Sequence, residues 1–348
     1  MKNILIVGSS AKEYALALKL KNEGHNVFVA SGNKRISDIA KCIDIREDNI
    51  SELLMFVINN SIDLTIAISQ KAIINDIASV FQANEQKIFA PTAKSAEFTY
   101  SHSTAKSLLY KMRIPSPHFG IYDKAQSAFD YLKNAPMPQV INSDNTTEKL
   151  VCTTFNTSKI FVEDLFCKGE EKVILEDYVY GHEFTFYVIT DGYHSVPLAT
   201  VANYKFMEDG DGGILTDGIG CYTPDYKISK EIENNLVKKV INPILEYLQK
   251  KESPYLGIIG VECVLREDGK IITLRFKSFL SDHDCQAVLN LVEDNLYNLF
   301  EACINGSFED YNNIESSDKS SISCVLSSRI ENSTINGLDI IDADITPF

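Results

Sequence analysis

The sequence has no tryptophan, no closely paired cysteines and no apolar run long enough to cross a bilayer. Its eight cysteines are scattered without C-x-x-C spacing, which is typical of small buried side chains in a reducing, cytoplasmic compartment rather than of a disulfide framework. The six histidines include no H-E-x-x-H motif, so no zinc site is indicated. The first eight residues hold one lysine and a short apolar run, a pattern that predicts neither a signal peptide nor an anchor.

A basic surface is also missing. The 33 Lys and Arg residues are outnumbered by 48 Asp and Glu residues, and the resulting formal charge of -15 repels phosphate backbones. We therefore expect no nucleic-acid partner and no membrane partner. With 348 residues, of which 45% are hydrophobic and 23% charged, the composition is typical of a globular protein of two or three domains.

The first hundred residues alternate strand-like and helix-like patterns. Apolar runs predict strands at residues 3–7, 26–30, 63–68 and 87–90, with helices starting near residue 11 and at 50–59 and 72–84. Ser10 and Glu13 predict a capping box at the first helix, and Gly24 predicts its end. This rhythm predicts an α/β fold that opens with a doubly wound parallel sheet.

Strand patterns dominate the middle of the chain. After two short helices, Pro115 and Pro117 mark an entry into extended chain, and strands are predicted at residues 139–141, 150–154, 159–162, 173–178, 183–190 and 196–202. A long helix at 229–250 precedes a hairpin, 257–266 and 270–276, joined through Asp268-Gly269. A last helix at 284–305 and a strand at 322–326 complete the pattern.

The turn after the first strand, from Gly8 to Glu13, could hold an anion through its free amides. It lacks the G-x-G-x-x-G spacing of a dinucleotide site, so a nicotinamide-dependent oxidoreductase is not supported. An ordinary strand-to-helix turn is the alternative.

The same turn, Gly8-Ser9-Ser10-Ala11-Lys12-Glu13, resembles the G-S-G-G-R-E turn of the glycinamide ribonucleotide synthetases. Further matches to this family follow in its order and nearly its spacing: Gly32-Asn33, residues 88–92 (IFAPT), 114–117 (IPSP), 175–185 (LEDYVYGHEFT), Thr216 and Gly218. The resemblance extends from Met1 to about Ser328. It implies an ATP-grasp protein.

The resemblance implies an amino-terminal parallel-sheet domain at residues 1–100 and an ATP-grasp domain at 101–306, with a lid at about 116–182 and a central domain. Residues 307–348 would be the remnant of a truncated carboxy-terminal domain. Because a shortened domain leaves an apolar face exposed, we expect a homodimer or another cover for it.

The family reaction would join glycine to 5-phosphoribosylamine in purine biosynthesis, with ATP converting the carboxylate to an acyl phosphate. A hinge that contacts adenine and a residue that contacts ribose would form the nucleotide site: Glu176, Asp177, Tyr178, Val179 and Glu183. Residues of two glycine-containing segments would bind substrate: Gly8, Ser9, Ser10, Lys12, Glu13, Thr216 and Gly218. Catalytic positions would be occupied by Lys205, Arg275 and Lys277, and a metal ligand by Glu262.

Several of these positions depart from the family pattern. The metal-bearing strand I-E-F-N reads Leu274-Arg275-Phe276-Lys277, so two cations stand where a glutamate and an asparagine would ligate Mg²⁺. Two phosphate-binding lysines of the family are replaced by Asn142 and His102. These substitutions argue against Mg²⁺ as a cofactor while leaving the nucleoside end of an ATP site in place.

The sequence leaves two questions open. Glu262 either binds a metal or pairs with Arg275 or Lys277 across the hairpin. The two cations either contact phosphates in place of Mg²⁺ or form a salt-bridged strand face in a fold that no longer reacts. The corresponding hypotheses are a phosphoribosylamine–glycine ligase of weak or altered activity and a non-catalytic pseudoenzyme that binds nucleotide or stabilises a partner.

Overall fold

The computed structural model of the chain describes residues 1–146, 148–208 and 212–326. Strands in this part form sheets of five, four and six members. The chain passes through the sheets in that order, and the strand nearest the carboxy terminus belongs to the third sheet. The segment Asp209-Gly210-Asp211, which contributes to the family resemblance, lies outside the described residues, as does the end of the predicted carboxy-terminal remnant.

The first sheet is parallel, with strand order β3-β2-β1-β4-β5. Its strands are β1 (Asn3–Gly8), β2 (Asn26–Ser31), β3 (Lys41–Ile43), β4 (Leu64–Ala67) and β5 (Ile88–Phe89). The helices between them are α1 (Ala11–Asn22), α2 (Ile50–Asn59), α3 (Gln70–Ile74) and α4 (Ile77–Ala83). Alternate β1 side chains pack into different cores, Ile4 and Ile6 into one, Leu5 and Val7 into another. The predicted doubly wound sheet, buried on both faces, is confirmed.

The helix predicted at residues 72–84 is divided into α3 and α4. Asp76 between them has a left-handed backbone with φ of 55°. Its carboxylate accepts a hydrogen bond from the Ala93 amide at 2.8 Å. A left-handed residue interrupts the helical hydrogen-bond pattern. The spacing of apolar residues could not predict this break, because it depends on a tertiary contact of Asp76.

The second sheet is antiparallel, with order β6-β9-β7-β8. Two helices, α5 (Ala93–Tyr100) and α6 (His102–Met112), lead into it. Its elements in chain order are β6 (Phe119–Tyr122), α7 (Ala125–Leu132), β7 (Gln139–Ser143), β8 (Lys149–Cys152), α8 (Phe155–Cys167) and β9 (Val173–Asp177).

The strand predicted at residues 159–162 is wrong, because this segment lies within α8. Thr154 begins the helix with a capping box to Thr157. Ser158, Val162 and Leu165 are buried at helical spacing, whereas the Ile160 side chain is largely exposed. The short apolar run of residues 160–162 fits either structure, and only the longer helical period distinguishes them.

The third sheet is antiparallel, with order β14-β13-β10-β11-β12-β15. Its strands are β10 (His182–Thr190), β11 (Ser195–Glu208), β12 (Gly212–Thr223), β13 (Gly257–Leu265), β14 (Ile271–Lys277) and β15 (Ser321–Cys324). The predicted β13–β14 hairpin is present, with Gly269 at φ 78° in its turn. Strand β12 was not predicted, since its glycines weaken a strand pattern.

Helices cover the third sheet. The predicted helix at 229–250 consists of α9 (Lys230–Leu236), a π-helical segment (Val237–Ile241) and α10 (Asn242–Lys250). The helix predicted at 284–305 is divided into α11 (Asp282–Leu289) and α12 (Leu296–Asn305). Between them Val292 pairs with Ser316, and the Asn295 side chain caps α12. None of the helices in the described ranges is long and apolar enough to cross a membrane.

Candidate functional site

An open cleft lies where the second sheet faces the third. We call it the central cleft. Its lining brings together eight of the residues predicted for function: Glu176, Asp177, Tyr178, Val179, Glu183, Lys205, Glu262 and Arg275. The remaining predicted residues lie beyond this lining, and Lys277 is connected to it through Glu262.

Five charged side chains form a compact group on one wall, which we call the ion-pair cluster: Glu183, Lys205, Glu262, Arg275 and Lys277. Glu262 is its centre. Arg275 Nη2 donates to Glu262 Oε1 at 3.2 Å and Arg275 Nε donates to Oε2 at 2.5 Å. Lys277 Nζ lies 2.8 Å from Oε1.

Strand register produces this arrangement. Glu262 on β13 is directly opposite Arg275 on β14, and Gly260 is opposite Lys277. Arg275 and Lys277 are two residues apart on one strand and therefore point to the same face. Lys205 reaches the cluster from β11, with Nζ 2.9 Å from Glu183 Oε2 and 3.4 Å from Glu262 Oε2. Of the two alternatives for Glu262, the structure shows the pairing across the hairpin.

The pKa of Glu262 shows how strongly the cations act. Burial alone would raise this pKa, but Arg275, Lys205 and Lys277 hold it well below its usual range. Conversely, burial would lower the pKa of Lys205, and Glu262 together with Glu183 raises it. Glu262 and Lys205 therefore both favour their charged forms near neutral pH.

The cluster does not fit a divalent metal. Both carboxylate oxygens of Glu262 already accept hydrogen bonds from cations, and a bound ion would bring two more positive charges beside Arg275 and Lys277. Within residues 1–146, 148–208 and 212–326, no group of three His, Cys, Asp or Glu side chains is placed to hold a metal ion. The geometry thus argues against the predicted metal-ligand role of Glu262.

Glu176, the first residue of the predicted adenine hinge, has its carboxylate paired with Lys106 and hydrogen-bonded by Asn142. Lys106 Nζ on α6 lies 2.6 Å from Glu176 Oε2 and donates to the Leu274 carbonyl, also at 2.6 Å. Asn142 Nδ2 donates to Glu176 Oε1 at 2.9 Å. Lys106 was missed from the sequence. Its signal was a lysine on the apolar face of an amphipathic helix, between Ala105 and Leu109, where a charge requires a buried partner.

The two positions that lack phosphate-binding lysines both line the central cleft. Asn142 uses its amide on Glu176, as described. Burial, together with the positive charges of Arg275 and Lys106, lowers the pKa of His102 to about 3. His102 is therefore neutral at physiological pH. Neither residue adds a cation to the cleft.

The predicted substrate turn lies on β1 and α1 and is not part of the cleft lining. Two of its amides have partners within the chain, since Ser10 N donates to Glu13 Oε2 at 2.8 Å and Lys12 N donates to Asp282 Oδ1 at 3.1 Å. Gly8 has φ of 139°, and a Cβ there would lie 2.2 Å from the Glu13 carboxylate. The capping box predicted for Ser10 and Glu13 is present.

Neighbouring contacts tie the turn to the next elements. Ser9 O accepts a hydrogen bond from Asn33 Nδ2 at 2.8 Å. Ser10 Oγ lies 2.7 Å from Asp282 Oδ1 at the start of α11. An anion that binds at this turn has to displace the Asp282 carboxylate.

Thr216 and Gly218 on β12 lie on the far side of the ion-pair cluster. Thr216 Oγ1 donates to the Lys205 carbonyl at 2.7 Å, and Gly218 N donates to Thr216 Oγ1 at 3.1 Å. Gly218 has φ of 139°, and a Cβ there would lie 2.2 Å from the His283 ring. These residues contact the backbone behind Lys205 and the start of α11.

A buried carboxylate that the sequence did not reveal joins these regions. Asp284 on α11 accepts hydrogen bonds from Asn203 Nδ2 at 2.7 Å, Tyr187 OH at 2.5 Å and Ser281 Oγ at 2.5 Å. Ser281 Oγ in turn lies 3.4 Å from Lys277 Nζ. The Asn203 amide donates to Asp284, whereas a carboxylate at position 203 would repel it.

Comparison with known proteins gives matches along most of the chain. The family model for the N domain of phosphoribosylglycinamide synthetase matches residues 2–98, and that for its ATP-grasp (A) domain matches residues 100–285. A phosphoribosylamine–glycine ligase of Lactococcus lactis is 31% identical over 299 residues, which cover 84% of this chain and 72% of that protein. One from Caldanaerobacter subterraneus is 27% identical, covering 94% of this chain and 80% of its own length.

Solved structures show the same fold. A crystal structure of phosphoribosylamine–glycine ligase from Thermotoga maritima matches with a TM-score of 0.80 at 18% identity and covers 95% of this chain and 81% of its own. A biotin carboxylase domain from Hydrogenobacter thermophilus, in complex with MgADP, ADP and bicarbonate, matches with a TM-score of 0.69 at 14% identity, covering 93% and 74%. At these identities the likeness concerns the fold alone.

Proposed function

Because the chain belongs to the phosphoribosylglycinamide synthetase family, we propose that it is an ATP-grasp protein of the phosphoribosylamine–glycine ligase type with weak or altered activity. An adenine nucleotide binds in the central cleft, with the hinge at residues 176–179 against the base and Glu183 near the ribose. Glycine and 5-phosphoribosylamine are the proposed substrates, by analogy with the reaction that the names of the relatives describe.

The ion-pair cluster is the structural feature that supports the proposal of weak activity. Phosphoryl transfer from ATP moves negative charge among oxygens, and a bridging metal follows that charge in related chemistry. Arg275 and Lys277 are fixed on β14 and are paired with Glu262. They stabilise one charge distribution and cannot migrate with the phosphoryl group, so formation of an acyl phosphate is slow.

Release of phosphate tests this proposal. The full chain is incubated with Mg-ATP, glycine and freshly generated phosphoribosylamine, and phosphate is measured against reactions that lack glycine. We expect turnover well below about 1 per second, the lower end of ordinary enzymes. Turnover at or above that rate contradicts weak activity, and a slow rate that requires glycine supports it.

A non-catalytic role in nucleotide binding or partner stabilisation is the second candidate. The internal pairing of Glu262 favours it, because a carboxylate held by cations on both oxygens has no capacity left for a metal. The two candidates differ in glycine-dependent phosphate release: a measurable rate that disappears without glycine supports the slow ligase, and nucleotide binding with no phosphate release above background supports the binding protein.

A homodimer and a cytoplasmic location belong to the same proposal. Free cysteines support a reducing compartment: Cys42, Cys152, Cys167, Cys221, Cys263, Cys285, Cys303 and Cys324. The mass in solution, measured by light scattering, tests the dimer.

A further inference from the structure

A second pocket is formed by helices α5 and α6 and the end of helix α10, and we call it the helix pocket. Its volume of about 400 Å³ lies in the range of roughly 300–1,000 Å³ that is usual for small-molecule sites. The lining shares no residue with the lining of the central cleft. The helix pocket is therefore a separate candidate site.

The floor of the helix pocket is apolar. Phe98 from α5, Leu108 from α6 and Leu248 from α10 line it and are buried. The half-buried ring of Tyr247 on α10 lines it as well. A ring or short hydrocarbon chain that enters the pocket leaves water for these apolar side chains, and this transfer favours binding.

Three lysines also line the helix pocket: Lys94, Lys111 and Lys251. Lys111 Nζ lies 4.5 Å from the centroid of the Tyr247 ring, and Lys251 Nζ lies 6.0 Å from it. Two ammonium groups thus lie near one ring, although like charges repel each other. In residues 1–146, 148–208 and 212–326, none of the three lysines forms a salt bridge. An anion in the pocket supplies the opposite charge that these lysines lack.

The charge balance indicates the class of anion. One carboxylate, that of Glu97, is found among the described lining residues, and its Oε1 accepts a hydrogen bond from Thr104 Oγ1 at 3.1 Å. Three lysines against one glutamate leave an excess of two positive charges. A phosphate monoester carries about two negative charges at neutral pH, whereas a carboxylate carries one.

A buried hydroxyl group adds a hydrogen-bond donor to the lysines. Ser253 lines the helix pocket and is 7% exposed. Its Oγ has no hydrogen-bond partner within the part of the chain that the structure describes. A buried hydroxyl without a partner is costly, and a phosphate oxygen accepts a hydrogen bond from it.

We infer that the helix pocket binds a small organic phosphate monoester. Its apolar ring or chain lies on Phe98, Leu108 and Leu248, and its phosphate lies among the three lysines. This site goes beyond the proposed function, because it does not depend on nucleotide binding in the central cleft.

Calorimetric titration of the full chain tests the ligand class. The probes are 1-naphthyl phosphate, 1-naphthol, 1-naphthoate and inorganic phosphate. We expect 1-naphthyl phosphate to bind about tenfold more tightly than each of the others, because it alone combines an apolar body with two negative charges. Equal binding of 1-naphthyl phosphate and 1-naphthol, or no binding of either, overturns the inference. Equal binding of the phosphate and the carboxylate overturns the choice of a phosphate.

Substitution of a lysine locates the phosphate. Lys111→Gln should weaken the binding of 1-naphthyl phosphate about tenfold and leave that of 1-naphthol unchanged, because only a charge is removed. Lys250→Gln is the matched control, since Lys250 is 78% exposed, does not line the pocket and changes the total charge equally. It should bind the probe as the parent chain does. Equal affinities in the two variants overturn the inference.

Filling the helix pocket locates the apolar body. Ser107→Trp on α6 places a large ring in the lining and should abolish binding of both 1-naphthyl phosphate and 1-naphthol. Tyr110→Trp is the control, since Tyr110 lies on the same helix, is 78% exposed and is not part of the lining. Probe binding that survives in Ser107→Trp lies elsewhere and overturns the inference. If Ser107→Trp does not fold, the comparison of Lys111→Gln with Lys250→Gln decides. Adenine nucleotide binding, titrated separately, reports on the proposed function.

Discussion

Two buried glutamates show how differently one residue type is used in this chain. Glu13, in the turn after β1, is 1% exposed and contacts Ser10. Glu262, in the β13–β14 hairpin, is 2% exposed and contacts three cations. Burial raises the pKa of Glu13, whereas Arg275, Lys205 and Lys277 overcome the effect of burial and keep the pKa of Glu262 well below its usual range.

The difference separates what builds the fold from what carries the chemistry. In the turn, the Glu13 carboxyl group caps helix α1 and supports the backbone of a segment that resembles the family's turn. In the hairpin, Glu262 lies opposite Arg275 beside a register shift between Glu262 and Cys263, and its carboxylate is surrounded by cations. A fold can therefore persist while its reactive positions change, which is why membership of a family does not by itself establish activity.

The largest expected effect compares the same substitution at both positions. Glu262→Gln should lower the free energy of unfolding by about 3–5 kcal/mol at pH 7, because it leaves buried cations without their charged partner. Glu13→Gln should leave it unchanged or higher, because the amide oxygen still accepts from Ser10 and no charge is buried. Urea denaturation of both variants measures the two values. Equal losses would mean that the two carboxylates serve the same role.

The pH dependence of stability distinguishes Glu13 from Glu262 further. The pKa of Glu13 is raised, so its stabilising contribution is complete below about pH 4.5 and is lost as pH rises through its folded pKa. The pKa of Glu262 is lowered, so its contribution is complete above about pH 4.5 and is lost as pH falls through its folded pKa. The two regions should therefore respond to acid with opposite signs.

A second prediction concerns the backbone of the turn. Gly8→Ala should lower the free energy of unfolding by about 3 kcal/mol, because φ of 139° is strained for alanine and its Cβ would overlap the Glu13 carboxylate. Gly24→Ala is the matched control, since φ is 87° but no atom lies within 4 Å of a Cβ there. It should cost about 1 kcal/mol. Thermal unfolding compares them, and similar losses would show that the overlap with Glu13 is relieved cheaply.

A third prediction concerns His102 in the central cleft. Its folded pKa of about 3 lies below that of the unfolded chain, so the unfolded state binds the proton first and stability falls as pH decreases from about 6.5 towards 3. Between pH 6.5 and pH 5 the loss should be about 2 kcal/mol. Arg275 and Lys106 lower this pKa, while Asp144 and Glu262 oppose them.

Chemical denaturation across that range measures the effect in the parent chain and in His102→Asn, which should lack it. His118→Asn is the control, since His118 is largely exposed. An unchanged slope in His102→Asn would assign the acid sensitivity to other groups.

The smallest effect is the restoration of metal binding to the hairpin. Arg275→Glu with Lys277→Asn should make nucleotide binding depend on Mg²⁺ by about tenfold, equal to about 1.4 kcal/mol. Glu262 then faces a carboxylate and an amide, which suit Mg²⁺. Calorimetry with and without chelator measures the gain. No gain would mean that the lysines absent at His102 and Asn142 matter more than the hairpin.

Much of the fold follows from local patterns. The capping box, the parallel strands and the Asp268-Gly269 turn could be predicted because each depends on residues close together in sequence. The boundary between α3 and α4 could not, because it depends on Asp76 contacting a distant amide. The segment at 159–162 shows a different limit, since four residues do not reveal whether the period is helical.

The candidate site was predictable where strand register alone determines the geometry. Alternation along β14 places Arg275 and Lys277 on one face. The register that continues from the turn to Cys263 and Thr273 would put Glu262 opposite Leu274, and a register shift after Glu262 brings it opposite Arg275. Lys106 and Asp284 could not be predicted, because their partners come from other elements of the fold. Sequence spacing carries no information about contacts between elements that are distant in the chain.

Lys106 connects three elements of the fold. One ammonium group joins helix α6, the hinge residue Glu176 and the backbone of β14 at Leu274, with both polar distances at 2.6 Å. Any swing of the second sheet away from the third that moves Glu176 must break a contact whose ammonium group is fully buried. Strand β7 is paired with β9 and its Asn142 donates to Glu176, so the second sheet is tied to α6 and β14 through the contacts of this ammonium group.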